Sequence, residues 1–151
     1  MMEDLKTLRA RLEEMLRAQR LAVLSTSDPE SAPYSNLVSF AALDAGRILF
    51  ATPRATRKFE NLEADNRVAL LVDNRHNEEA DFHAALAATA LGRAVELAGE
   101  ERERGIVRYI GKFPYLEDFV RSPSCALFRV DVERYIVVTK FQNVIEVSPH
   151  P

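Results

Sequence analysis

Cysteine is almost absent from this chain: Cys125 is the only one in 151 residues. One thiol excludes an intramolecular disulfide framework and a CxxC metal site. Its neighbours are apolar, so we expect a buried, inert thiol and a cytoplasmic protein. The histidines, His76, His83 and His150, are scattered without the spacing of a metal-ligand set. The sequence therefore predicts no metal site.

Long apolar runs and an excess of basic residues are also missing. No stretch approaches the roughly 18 apolar residues that a membrane span needs, and the charged N-terminal stretch has no apolar signal core. The net charge of -3 disfavours binding to nucleic acid, which usually requires a basic surface. The length predicts one domain, residues 1–151, with enough chain to bury a core. We expect no nucleic-acid or membrane partner.

Several catalytic and phosphate-binding signatures are absent as well. The chain contains neither GxGxxG nor GxxxxGK[ST], the glycine-rich loops that cradle phosphates. It also lacks the GxSxG turn that exposes a nucleophilic serine. Without a metal or an evident nucleophile, demanding chemistry would have to come from a bound cofactor.

Hydrophobic periodicity predicts many short strands and few helices. Residues 2–19 carry leucines at helical spacing and are expected to form an amphipathic N-terminal helix. A short helix should end near residue 65, and Gly111 and Pro114 should divide residues 100–121 into two more. The pattern lacks the regular alternation of a parallel sheet and indicates an α+β fold, an antiparallel barrel or meander with helices outside. The expected strands are residues 21–26, 32–42, 47–51, 67–72, 82–97 with a bulge at Gly92, and 125–132, continued or followed by 135–139, with a short last strand at 144–147.

Residues 47–62 read as a buried strand, a polar bend and the start of a helix. Thr52 and Thr56 supply hydroxyls there, while Arg54, Arg57 and Lys58 supply positive charge. A helix N-terminus adds unpaired N–H groups and the positive end of the macrodipole, so the bend could bind a phosphate dianion. The alternative is a solvated basic turn, although cations at a helix start oppose the macrodipole unless an anion compensates. These residues alone leave both interpretations open.

The motifs around the bend resemble those of a known family. They are LFAT at 49–52, TRK at 56–58 and NRVAL at 66–70, supported by PYSNLVSF at 33–40 and LGRA at 91–94. Together they resemble the pyridoxamine 5'-phosphate oxidase-like family of flavin-binding split-barrel proteins. The resemblance extends over about residues 20 to 147, although the proline that usually precedes the arginine of the third motif is missing.

This resemblance implies a six-stranded antiparallel split β-barrel with flanking helices. It also implies a homodimer that binds the cofactor FMN at the subunit interface. Arg57 and Lys58 would bind the FMN phosphate, with Thr52 and Thr56 beside them. The other residues expected near the flavin, from one subunit or the other, are Ser35, Asn36, Leu37, Val38, Asn74, Arg75 and Gln142.

The resemblance does not extend to the vitamin substrate site of the oxidase itself. An Arg-Gln pair that opens the oxidase's fifth strand aligns with Leu86 and Ala87, and this chain has no tryptophan. We therefore expect an FMN-dependent oxidoreductase of unidentified substrate rather than pyridoxamine phosphate oxidation. The alternatives are a non-catalytic flavin-binding or flavin-sensing protein and a related barrel that binds deazaflavin or haem.

Overall fold

A computed structural model describes residues 4–151. In this range the chain forms seven strands and five α-helices, with a 3₁₀ turn (Pro114–Leu116) between the last two helices. The elements are α1 (Leu5–Ala18), β1 (Leu21–Ser27), β2 (Pro33–Asp44), β3 (Arg47–Pro53), α2 (Arg57–Ala64), β4 (Arg67–Asp73), α3 (Asp81–Ala84), β5 (Leu86–Glu96), α4 (Gly99–Lys112), α5 (Glu117–Arg121), β6 (Cys125–Thr139) and β7 (Asn143–Val147).

Six of the strands close into an antiparallel barrel. Their order is β3-β2-β1-β4-β5-β6, and β3 also pairs with β6 to complete the ring. β7 pairs with the end of β6 as a hairpin outside the ring. Buried residues alternate with less buried ones along β1 and β4, and inward-pointing side chains such as Leu24, Phe40 and Leu70 are completely buried. The α+β fold and the six-stranded antiparallel split barrel with flanking helices are confirmed.

The barrel is open along one seam. β2 and β3 are paired only from Phe40 and Phe50 to the turn that joins the two strands. Beyond that point residues 33–39 of β2 pair with β1 alone, while residues 51–53 of β3 pair with β6. The strands therefore diverge, and α2 begins just after β3, at this gap.

The N-terminal helix packs its apolar stripe against the barrel. The helix spans Leu5–Ala18. Asp4 is its N-cap, and the Asp4 side chain accepts a hydrogen bond from the Thr7 N–H at 2.8 Å. Residues 2 and 3, which were predicted to belong to this helix, lie outside the described residues. Lys112 of α4 donates to the carbonyl of Gln19, just past the end of α1. No helix within residues 4–151 is both long enough and apolar enough to cross a membrane.

The prediction that the fifth strand starts at residue 82 was wrong, because β5 begins at Leu86. The Asp81 carboxylate accepts the N–H groups of His76 and Glu78, each at 3.0 Å, and these bonds lower its pKa. They close a turn that continues into α3, so local carboxylate contacts outweigh the strand-forming character of Phe82. The predicted bulge in β5 is confirmed by a register shift between Leu91 and Gly92.

Gly92 gives the fold a test with an internal control. A Cβ at this position would lie 2.2 Å from the carbonyl oxygen of Asp131, which is backbone of the neighbouring strand. Gly92→Ala should therefore lower the free energy of unfolding by about 1–3 kcal/mol or more. Gly111→Ala is the matched control, because a Cβ there meets no atom within 4 Å and alanine favours the helix by up to about 1 kcal/mol. Urea unfolding would measure both, and a Gly92→Ala midpoint at the wild-type value would contradict the bulge geometry.

Candidate functional site

Two threonines brace the bend between β3 and α2. Thr56 is the N-cap of α2 and accepts a hydrogen bond from the Phe59 N–H at 3.2 Å. Its hydroxyl lies 2.9 Å from that of Thr52, and both hydroxyls lie 3.0 Å from the carbonyl oxygen of Pro53. Thr52 is completely buried. Thr52 and Thr56, both predicted site residues, therefore stabilise the shape of the bend. The positive charge comes from Arg57 and Lys58, which follow Thr56 in the chain.

Arg57 and Lys58 form the first turn of α2. The Arg57 guanidinium lies 5.4 Å from the ring centroid of Tyr34, across the open seam. Within residues 4–151 neither cation forms an ion pair. Burial lowers the pKa of Lys58 because its ammonium is partly removed from water. Two cations without a carboxylate partner thus meet the positive end of a helix dipole.

Arg54, the third cation of the bend, is held by other groups. Its guanidinium donates to both carboxylate oxygens of Glu96, at 3.2 and 2.7 Å. It also lies 5.5 Å from the ring centroid of Phe59. This pairing neutralises Arg54, and the positive charge available for an anion comes from Arg57 and Lys58.

The open edge of β2 faces this bend. The Phe40 N–H donates to the carbonyl of Arg20 on the β1 side at 3.1 Å. Antiparallel alternation then turns the N–H and C=O groups of Ser35, Leu37 and Ser39 toward the open edge. Strand backbone and helix N-terminus therefore present hydrogen-bonding groups to the same gap.

The four residues predicted along β2 divide between two faces. Ser35 and Leu37 point away from the barrel interior, and the Leu37 side chain is 63% exposed. Asn36 and Val38 point inward, and Val38 belongs to the core. The side-chain oxygen of Asn36 is buried and has no hydrogen-bond partner among the described residues. Such an unsatisfied acceptor near the seam suits a ligand or water that donates a hydrogen bond.

Asn74, Arg75 and Gln142 are not brought to the bend within one chain. β1 lies between β2 and β4, so residues at the end of β4 are two strands away from the open edge. Asn74 accepts the Leu86 N–H at 2.7 Å, and Arg75 pairs with Asp73 at 3.2 Å. Gln142 lies exposed in the turn between β6 and β7. The predicted site thus separates into two regions of the surface.

An aromatic pair in the second region was not anticipated from the sequence. Phe82 of α3 and Phe141 of the β6–β7 turn have ring centroids 5.2 Å apart. With Arg75 they line a cavity of about 630 Å³. Both rings come from polar connecting segments that are distant in the chain, so no local pattern marks them as neighbours. The partner of Arg57, Tyr34, was missed for the same reason.

Within residues 4–151 no cluster of three or more histidine, cysteine, aspartate or glutamate side chains is arranged to bind a metal ion. Cys125 is buried, as expected, and burial raises the pKa of its thiol. The thiol donates a weak hydrogen bond to the neighbouring Ala126 carbonyl at 3.7 Å, and Cys125 belongs to a buried apolar cluster. The thiol is therefore part of the core.

Solved structures share this fold at low sequence identity. A haem-binding protein from Mycobacterium smegmatis has a TM-score of 0.84 at 15% identity, over 99% of this chain and 60% of that one. An FAD-binding protein from Mesorhizobium loti has a TM-score of 0.67 at 19% identity, over 82% and 88% of the two chains. A Clostridium acetobutylicum protein related to general stress protein 26, of the pyridoxinephosphate oxidase family, has a TM-score of 0.73 at 16% identity, over 97% and 96%.

Sequence comparison identifies the family. No curated protein sequence matches the chain significantly. The family model for pyridoxamine 5'-phosphate oxidase, however, matches residues 8–139, from α1 to the end of β6. The fold has flavin-binding and haem-binding examples among its structural neighbours. Because the match spans most of the chain, the protein belongs to the pyridoxamine 5'-phosphate oxidase-like family.

Proposed function

We propose that this protein binds FMN and uses it as an oxidoreductase. The observation that carries the proposal is the pair Arg57 and Lys58, two cations without an ion-pair partner in the described chain, at a helix N-terminus beside an open strand edge. A phosphate dianion would satisfy their charges and the free N–H groups of α2 together. Membership of a family with flavin-binding examples supports the choice of a flavin phosphate.

The chain's own residues would have distinct tasks in this site. Arg57 can grip two phosphate oxygens with its planar fork, and Lys58 adds a point charge. The open edge of β2, at Ser35, Leu37 and Ser39, would orient the ring through backbone hydrogen bonds. The exposed Leu37 side chain would exclude water from the ring. Bound FMN would supply hydride or electron transfer.

The bend favours a phosphate-bearing cofactor over haem. Haem requires an axial ligand, most often a histidine. His76 and His83 are exposed on and beside the segment that connects β4 to β5, two strands from the open edge of β2 in the same chain, so an axial histidine could reach the bend only from a second copy. Residues 52–64, which form the end of β3, the bend and α2, contain no histidine.

We also propose that the protein is a homodimer with a flavin at each subunit interface. A row of mutually paired residues crosses the outer face of five strands: Leu37, Val23, Leu71, Thr89 and Ile136. Four of the five are apolar, and none of the five is fully buried, although Leu71 lines a cavity together with Phe82 of α3. A second copy on this face would bury the row and would bring its own Asn74, Arg75 and Gln142 toward the open seam.

The phosphate grip can be tested by comparing FMN with riboflavin, which lacks the phosphate. Charge-assisted hydrogen bonds contribute about 1.5–3 kcal/mol each, so Arg57→Ala with Lys58→Ala should weaken FMN binding at least about 100-fold. Riboflavin should bind the double variant and the wild type with similar affinity. Flavin fluorescence titration would measure all four values.

Arg104→Ala with Lys6→Ala removes the same charge at exposed positions on α4 and α1 and should leave FMN affinity unchanged. Equal affinity of the wild type for FMN and riboflavin would place the phosphate away from the bend. Haem titration and the reduction of bound flavin by NADH or NADPH would then separate a haem binder and a non-catalytic flavin binder from the proposed enzyme.

Lys58→Met should separate stability from binding. Burial holds the folded-state pKa of Lys58 below its unfolded value of 10.5, so charging it in the folded state costs free energy. This cost is present at pH 7 and disappears as the pH rises from the folded pKa to the unfolded one. The variant without ligand should therefore be more stable at pH 7, by about 0.3–1 kcal/mol, while FMN affinity falls.

Thermal unfolding without ligand at pH 7 and at pH 10.5 would check this sign, because the gain should be smaller at the higher pH. Lys6→Met, at an exposed lysine in the first turn of α1, is the matched control and should leave FMN affinity unchanged. A loss of stability in Lys58→Met at pH 7 would contradict the idea that the charge of Lys58 destabilises the protein until an anion binds.

The dimer predicts a coupled loss of assembly and binding. Val23→Glu places a carboxylate at the centre of the apolar row and should convert a dimer into a monomer with weakened FMN binding. Val107→Glu, on the exposed face of α4, should leave both unchanged. Sedimentation velocity at micromolar concentration would measure the state, and a monomeric wild type would contradict the proposal.

A further inference from the structure

A cavity lies at the C-terminal end of β4, away from the bend. The cavity, of about 630 Å³, is floored by Leu71 and Ala87 and walled by Phe82 and Phe141. The two rings touch each other, yet their side chains are 53% and 65% exposed. Flat apolar walls of this kind suit an aromatic ligand, because ring faces pack well against one another.

The backbone holds one of these rings in an unfavourable conformation. Phe141 has φ 67° and Lys140 has φ 48°, both in the left-handed region. Glycine or asparagine would adopt this turn at lower cost, whereas a bulky side chain rarely does. Local strain of this kind persists where the surrounding structure enforces it, often at ligand sites. The exposed ring of Phe141 is therefore held beside the cavity against the preference of its own backbone.

The charges at the cavity define the ligand further. Its lining carries Asp73, Glu78, Glu79 and Asp81 against a single cation, Arg75. Arg75 is paired with Asp73, and Asp81 accepts backbone N–H groups of its own loop. Within the described chain Glu78 and Glu79 form no ion pair. Such a rim repels a phosphate or carboxylate and attracts a cation.

We propose that this cavity binds a planar aromatic molecule that is neutral or positively charged and packs against Phe82 and Phe141. Its chemistry is the opposite of that at the start of α2, so the two sites select different ligands. A further role of this molecule as the reductant of FMN, in which the bound molecule is oxidised by two electrons and FMN is reduced by the same two, rests on the proposed function and on the proposed homodimer. Recognition of the ring itself does not.

The test uses two three-ring dyes of opposite charge, proflavine and 9-anthracenecarboxylate, titrated against the full chain by fluorescence. Proflavine should saturate at one molecule per chain and bind at least about tenfold more tightly than the anionic dye. Phe141→Gly should weaken proflavine binding at least about tenfold, while its unfolding midpoint in urea stays at or above the wild-type value. The second result follows because glycine relieves the left-handed backbone.

Two further variants make the outcome decisive. Phe82→Ala leaves the backbone of the turn intact and should weaken proflavine binding to a similar degree. Phe119→Ala, at a ring 37% exposed on α5, is the control and should leave it unchanged. If Phe141→Gly fails to fold, the proflavine affinity of Phe82→Ala alone tests the proposal.

Three results would overturn the proposal: wild-type proflavine affinity in Phe82→Ala, tighter binding of the anionic dye, or loss of proflavine binding in Arg57→Ala with Lys58→Ala. The last would place the dye at α2. Failure of the FMN proposal is distinguishable, because it appears as equal FMN and riboflavin affinities and leaves the dye result unaffected.

Discussion

The hydrogen-bonded pairing between β2 and β3 ends at Phe40 and Phe50, and the candidate site exists because the two strands separate there. If the two strands were paired along their whole length, the N–H and C=O groups of residues 33–39 that face away from β1 would form hydrogen bonds with β3. Instead the end of β3 turns to β6, which closes the barrel, and the edge of β2 remains unpaired. An open edge normally invites another strand. Here the chain continues from β3 into a bend and a helix, so the gap is bordered by a helix N-terminus.

The bend keeps its shape through short local contacts that involve no ligand. The hydroxyls of Thr52 and Thr56 and the carbonyl of Pro53 form one cluster, and the same Thr56 caps α2. Arg54 is tied to Glu96, which fixes the bend to the end of β5. Because these groups satisfy each other, the neighbouring Arg57 and Lys58 are left to face solvent. The bend therefore keeps its shape without an anion, while the positive charges of Arg57 and Lys58 stay uncompensated.

The strands were predictable from the sequence because burial alternates along them, and alternation is a local signal. The motif at Thr56-Arg57-Lys58 also located α2, since a capping threonine before a helix is a local signal too. Features that depend on particular side-chain contacts were not predictable, whether the partners are near or distant in the chain. The start of β5 depends on the Asp81 carboxylate reaching back to His76, and the neutralisation of Arg54 depends on a residue in another strand. The meeting of Phe82 with Phe141 requires the folded hairpin.

Strand order also explains why the residues predicted to surround one flavin lie in two separate regions of the surface. Residues along β2 and at the start of α2 share the seam, whereas Asn74 and Arg75 end β4, on the far side of β1. A single barrel cannot bring both regions to one composite site, because they lie on the same curved outer surface with a strand between them. Two copies that pack through the apolar row could, since each would present its second region to the seam of the other. If so, the homodimer is part of the chemistry of the site: one chain grips the phosphate, and the other sets what approaches the ring.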